Sequence, residues 1–141
     1  NDAAARGAVQ EVCEEAGIGY RWDERLGGRR RLTKDEDAAS PDTWWRVKQF
    51  RAYAGWTRSE EFRAGIEELR GDLAHARTAV MCSEAVWWRC HRRLIADVML
   101  LEHEAEVLDL MHSGKHSLHE SSDGARLGED GHVVWDLPGE G

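Results

Sequence analysis

The sequence predicts an α/β protein: an open, mainly parallel small sheet covered by helices, in a Rossmann-like three-layer arrangement. Three observations point there. Apolar residues recur at helical spacing in four separate stretches, two short apolar runs flank the last of these, and glycines punctuate the joins. Strand, helix and strand over about thirty residues form a βαβ unit, which imposes a right-handed crossover and a sheet covered by helices.

Taken in order, Ala5, Val9, Val12, Cys13 and Ala16 lie on one side of a first helix from Ala3 to Glu15, and Gly17 stands where a C-terminal glycine cap belongs. Cys13, on that apolar side, is expected in the core. Ile18 to Trp22 reads as a short strand, followed by a turn at Gly27 and Gly28 and a basic loop to about Ser40. Asp42 or Thr43 is placed to cap a second helix carrying Trp44, Val47, Phe50 and Ala54. Thr57 and Glu60 have capping-box spacing for a third, whose stripe is Phe62, Ile66, Leu69 and Leu73. Thr78 to Met81 is the candidate buried parallel strand. A helix from about Cys90 to Glu104 buries Leu94, Ile95, Val98 and Met99, and Val107 to Leu110 is the strand after it. Residues 112–141 form a polar acidic tail, in which Gly128 to Gly131 before Val133, Val134 and Trp135 predict a small hairpin or edge strand.

A chain of 141 residues, 41% hydrophobic, is one domain large enough to fold without staples, so its three cysteines need not be a disulfide framework. No apolar run approaches the roughly 20 residues that cross a bilayer, and no signal peptide is present, so a cytoplasmic protein without membrane contact is expected. The chain begins at Asn1 rather than methionine and reads as a fragment or a processed form. Its net charge of -8 is uneven: residues 1–100 hold 17 basic and 17 acidic side chains, residues 101–141 only 2 and 10. Basic residues cluster at Arg21, Arg25, Arg29, Arg30, Arg31 and Lys34, and again at Arg89, Arg92 and Arg93; local patches of this kind attract phosphate or carboxylate whatever the net charge.

The chemistry concentrates in Met81-Cys82-Ser83-Glu84-Ala85-Val86-Trp87-Trp88-Arg89-Cys90-His91-Arg92-Arg93. One cysteine ends a predicted strand and the other starts a predicted helix. Strand ends line the ligand crevice of an open α/β sheet, and a helix N-terminus beside arginines favours thiolate over thiol. The same amides and guanidiniums can hold an anion without covalent chemistry.

This stretch, with Leu26-Gly27-Gly28-Arg29, Phe50, Tyr53 and Leu94-Ile95-Ala96-Asp97, closely resembles the bacterial family catalogued as domain of unknown function 488. The resemblance runs from Asn1 through the tail. It implies a compact α/β protein in which a strand ends in Met-Cys-x-Glu and a helix begins with Cys-His-Arg, matched here by Met81, Cys82, Glu84, Cys90, His91 and Arg92. It carries no established reaction. Family members usually begin with a segment holding Gly-His-Ser and an Asp-Val-Arg strand, and this chain starts after that point. The resemblance therefore implies N-terminal truncation by one central strand, with an unpaired neighbour that invites a homodimer by edge pairing.

The preferred reading is a thiol-dependent or anion-binding enzyme with catalytic Cys82, Glu84, Cys90 and His91, and with Arg89, Arg92, Arg29 and Arg30 binding a small anionic substrate or nucleotide. Either cysteine supplies the thiolate and Glu84 or His91 the acid or base. No cofactor is assigned. Zinc or iron at Cys82 and Cys90 is the smaller alternative, because paired short Cys spacings are absent and neighbours on a helix diverge by about 100°. A phosphatase loop needs Cys-x5-Arg, but Trp88 stands at that place and Arg89 falls one further on. A nucleic-acid or nucleotide binding module using the Arg- and Trp-rich loops is the second reading, and a structural or interaction protein with exposed tryptophans the third. His112, His116 and His119 are expected to be solvated, since Ser113 and Gly114 favour a turn. Dinucleotide, P-loop and serine-hydrolase motifs are missing.

Overall fold

A computed structural model describes residues 6–84 and 86–139. The expected start of the first helix, including Ala5, lies outside the described residues, as does Ala85. Among the described residues there are five α-helices: α1 (Arg6–Glu15), α2 (Lys34–Ala38), α3 (Lys48–Trp56), α4 (Glu60–His75) and α5 (Arg92–His103). Four short strands follow: β1 (Leu108–Leu110), β2 (His116–Leu118), β3 (Ala125–Leu127) and β4 (Val133–Trp135).

The helix punctuation in the sequence is partly real. Gly17 has φ +72 and closes α1 as the glycine cap requires, its N–H donating to Glu14 O while Ile18 N–H donates to Cys13 O. Cys13 is only partly covered and Val12 is 64% exposed, so this helix does not bury the expected apolar side. The loop before Ser40 contains α2, which the sequence reading passed over although Thr33 and Glu36 form a capping box. Neither Asp42 nor Thr43 caps α3, whose N-cap is Val47 without a side-chain bond. Ser59, not Thr57, caps α4, and the Thr57 hydroxyl donates to Ala54 O instead. Phe62, Ile66 and Leu69 are buried as the stripe requires, while Leu73 is exposed.

The chain mixes helix and sheet, but among the described residues the open parallel Rossmann-like sheet is not present. Two two-stranded antiparallel sheets form instead, β1 with β2 and β3 with β4. Ile18 to Trp22 and Thr78 to Met81 form no strand, and Ile18, Trp22, Val80 and Met81 are exposed. A strand exists only as part of a ladder, and among the described residues neither run has one. The run at Val107 to Leu110 pairs with its own downstream neighbour, because the turn at Ser113 and Gly114, with Gly114 at φ +85, returns the chain within five residues. The second hairpin turns at Gly131, φ +84, with Gly128 N–H on His132 O.

That second hairpin completes the core. Trp135 and Val133 are wholly buried, against Trp45, Tyr53, Phe62, Leu94 and Val98. The acidic end of the chain is thus not merely a polar tail. Asp42, also wholly buried, takes the Arg58 guanidinium and the Trp135 N–H on its carboxylate, while Trp44 N–H donates to Trp135 O. Gly124 sits flat on Trp44, where an added Cβ would lie 2.0 Å from the ring. Gly124→Ala is expected to lower unfolding free energy by roughly 1–3 kcal/mol through overpacking, measured by urea denaturation followed by tryptophan fluorescence.

Candidate functional site: two cysteines at a cationic cleft

Cys82 and Cys90 do meet. Their sulfurs are 2.8 Å apart, with Cys82 partly buried and Cys90 buried. Cys82 lies on the irregular stretch after α4, and a 3-10 turn at Trp87–Arg89 brings the chain back to Cys90. Cys90 is extended, with φ -131 and ψ 152, rather than helical, and α5 begins only at Arg92 with His91 as its N-cap. The argument that neighbours on a helix diverge therefore does not apply: His91 Nδ1 comes within 3.5 Å of Cys90 Sγ. The first amide of α5, Arg92 N–H, donates to that sulfur at 3.4 Å, and Arg92 Nε–H does so as well at 3.4 Å.

This surrounding separates the two thiols electrically. The Cys82 thiol donating to it, opposed by burial and aided by His91 and Arg92, holds Cys90 far below the ordinary thiol range. Cys82 is pushed up by the same hydrogen bond and by burial. The opposite shifts favour the proton on Cys82 and the charge on Cys90, beside the Arg92 guanidinium.

The sulfurs open on a cleft of about 310 Å³ lined by Gly28, Arg29, Tyr53, Arg89 and His91 among others. Of the other expected residues, Glu84 lines the cleft but is exposed, its carboxylate accepting from Val86 N–H. Arg92 supports Cys90 and donates to Glu84 O. Arg30 is turned away, donating to Glu24 O and Gly27 O with its guanidinium over Trp56. Arg21 and Arg25 are paired with Asp23, Glu68 and, for Arg21, Asp72, so much of that basic cluster is neutralised within the fold. Tyr53 donates its hydroxyl to Leu26 O and tilts its ring against His91 at 5.1 Å.

Gly28 carries a site-specific constraint, since an added Cβ would lie 2.4 Å from His91 Nδ1. Gly28→Ala is expected to displace the imidazole from Cys90 and raise the pH at which the thiolate forms, with the helical circular dichroism unchanged; a thiolate absorbance titration reads this.

Cys82, Cys90 and His91 offer ligand atoms within 4.8 Å of one another and could hold one metal ion. The fit is imperfect. Two thiolates on a tetrahedral zinc, at about 2.3 Å each, stand about 3.8 Å apart, so these sulfurs would have to separate by about 1 Å. The Arg92 guanidinium beside Cys90 also favours an anion over a dication there.

The model of the family described as domain of unknown function DUF488 matches residues 1–99. The chain belongs to this family. The DUF488 match contains Cys82, Glu84, Cys90, His91 and Arg92, and stops short of the two hairpins rather than running through the tail. No curated protein and no solved structure matches the chain. Among the described residues, no helix is long and apolar enough to cross a membrane.

Directly behind the cleft lies a group the sequence reading placed in solvent. His119 is buried, with Nε2 2.8 Å from Asp97 Oδ1 and Nδ1 2.9 Å from Asp109 Oδ2. Its ring also stands edge-on to Trp87 of the cysteine loop at 5.4 Å. Asp97 takes Ser122 N–H and Trp135 Nε1–H besides. Asp97 sits within the family-like run Leu94 to Asp97, and a carboxylate amid apolar helix positions is the signal that a buried partner was needed.

Burial opposes charging of His119, but the hydrogen bonds to Asp97 and Asp109 prevail and raise its pKa above the usual value. A group raised on folding stabilises fully below its unfolded pKa of about 6.5 and loses that contribution as pH rises through the folded value. The stability of the protein relative to His119→Gln is therefore expected to fall as pH rises above about 6.5, by at most about 1.4 kcal/mol per pH unit, read from urea curves at several pH values.

Proposed function

We propose that this protein is a cysteine-dependent enzyme acting on a small anionic electrophile at the Cys82–Cys90 cleft. The observation that carries the reading is the pair of sulfurs 2.8 Å apart, with Arg92 on one side and an open cleft on the other. Cys90, the sulfur held as thiolate and lining the cleft, makes the attack, with the Cys82 thiol beside it as the proton donor. His91, in reach of Cys90, takes or returns a proton. Arg29 and Arg89, which line the cleft, supply charge for the anionic part of the substrate. Such free thiols fit a reducing compartment, in keeping with a cytoplasmic location.

The test is alkylation of the reduced protein with iodoacetamide across pH, with the modified cysteine mapped by mass spectrometry. The expected result is rapid modification of this pair at and below neutral pH. Two thiols that each react as ordinary cysteines, with half-maximal rates near pH 8.5, would remove the basis of the reading.

A further inference from the structure

The cysteine pair is built for more than one attack. Resting on the thiol reading above, we infer that the electrophile is divalent sulfur: the site reduces low-molecular-weight disulfides bearing carboxylates, and Cys82 and Cys90 close to a disulfide in the process. The sulfurs already lie 2.8 Å apart and need to approach by less than about 1 Å to reach bonding distance. Cys82 is on an irregular stretch that, among the described residues, joins no strand ladder, so closing the bond breaks no sheet pairing. The two sulfurs are also unequally placed. Cys90 lines the cleft with the Arg92 donors on its sulfur, and Cys82 stands next to it, which is the arrangement of an attacking and a resolving thiol.

The steps balance as follows. The Cys90 thiolate attacks one sulfur of the substrate disulfide, forming a mixed disulfide and releasing one thiolate, which takes the Cys82 proton and leaves as a thiol. Cys82, now a thiolate, attacks Cys90 Sγ, breaking the mixed bond and releasing the second thiolate. A thiol and a thiolate of the protein are oxidised to one disulfide. The substrate disulfide is reduced to one thiol and one thiolate. Arg92, donating to Cys90 Sγ, keeps the attacking sulfur anionic. Arg29 and Arg89 at the cleft wall bias the site toward carboxylate-bearing disulfides.

The decisive experiment mixes reduced protein with oxidised glutathione, which is anionic, or with cystamine, which is cationic. Thiol release and protein mass are followed together, with iodoacetamide alkylation on the same sample. The expected result is two thiols released per protein, an intramolecular Cys82–Cys90 bond, and a preference for the anionic disulfide on the order of tenfold. Arg29→Ala with Arg89→Ala is expected to erase that preference, and Cys82→Ser to trap glutathione on Cys90 with one thiol released. Equal rates for the two disulfides would overturn the assigned charge class. A mixed disulfide that never resolves in the unsubstituted protein would overturn the pairing, and so would stoichiometric zinc on the sulfurs that blocks exchange until chelated. If alkylation is fast but no disulfide reacts, this inference fails alone; if neither occurs, the thiol reading fails with it.

Discussion

Asp97→Ala is expected to remove about 3–5 kcal/mol of stability, enough to leave a marginal domain largely unfolded. Asp97 is wholly buried on α5 and its two oxygens accept from His119, Ser122 N–H and Trp135 Nε1–H. These partners come from the loop after β2, the approach to β3, and β4. One carboxylate therefore ties α5 to both hairpins. Truncation leaves three donors without an acceptor and deprives a buried imidazolium of one of its two counter-charges, which costs far more than the net worth of any single hydrogen bond. Asp97→Asn keeps the shape and one acceptor, so a smaller loss is expected. Urea denaturation followed by tryptophan fluorescence separates the two, and a loss below about 1 kcal/mol for the alanine variant would show that the network is not a structural keystone.

Cys82→Ala is expected to cut the thiolate fraction at about pH 6 by roughly 10- to 100-fold while leaving the fold intact. The Cys82 thiol is the leading cause of the low Cys90 pKa, ahead of His91 and Arg92. Its removal returns Cys90 toward the ordinary value of about 8.5, and the residual help from Arg92 and His91 keeps the change below the full span. Arg92→Ala should move the same titration in the same direction by less. Thiolate absorbance against pH reads both variants. An unchanged curve for Cys82→Ala would mean that the two sulfurs do not share a proton and that the site owes its charge to Arg92 and the first turn of α5 alone.

Both predictions involve residues legible in the sequence to different degrees. The spacing of Cys82, Glu84, Cys90, His91 and Arg92 was readable as a motif, and all five meet around one sulfur pair or line its cleft. Arg30 shows the limit of such reading. It belongs to the same basic run as Arg29, yet its guanidinium lies over Trp56 and serves the fold, because backbone carbonyls of Glu24 and Gly27 are within its reach. His119 shows the opposite limit. Near a Ser-Gly turn it looks solvated, but the hairpin folds back onto α5 and places it between two carboxylates.

What the sequence by itself determined is therefore local: the glycine stop of α1, most of the apolar stripe of α4, the turn at Ser113 and Gly114, the small hairpin before Val133, the helix through Leu94 and Val98, and the spacing of the cysteine motif. These follow from propensities and spacings within a few residues. The tertiary structure alone decided that Thr78 to Met81 is not a strand, that Trp135 seals the core, that Asp42 binds Arg58 rather than capping α3, and that Cys90 lies before its helix with His91 beside its sulfur. Each of those depends on a partner distant in the chain. A ladder, a buried ion pair and a shared proton are properties of two groups at once, and periodicity within one segment records only one of them.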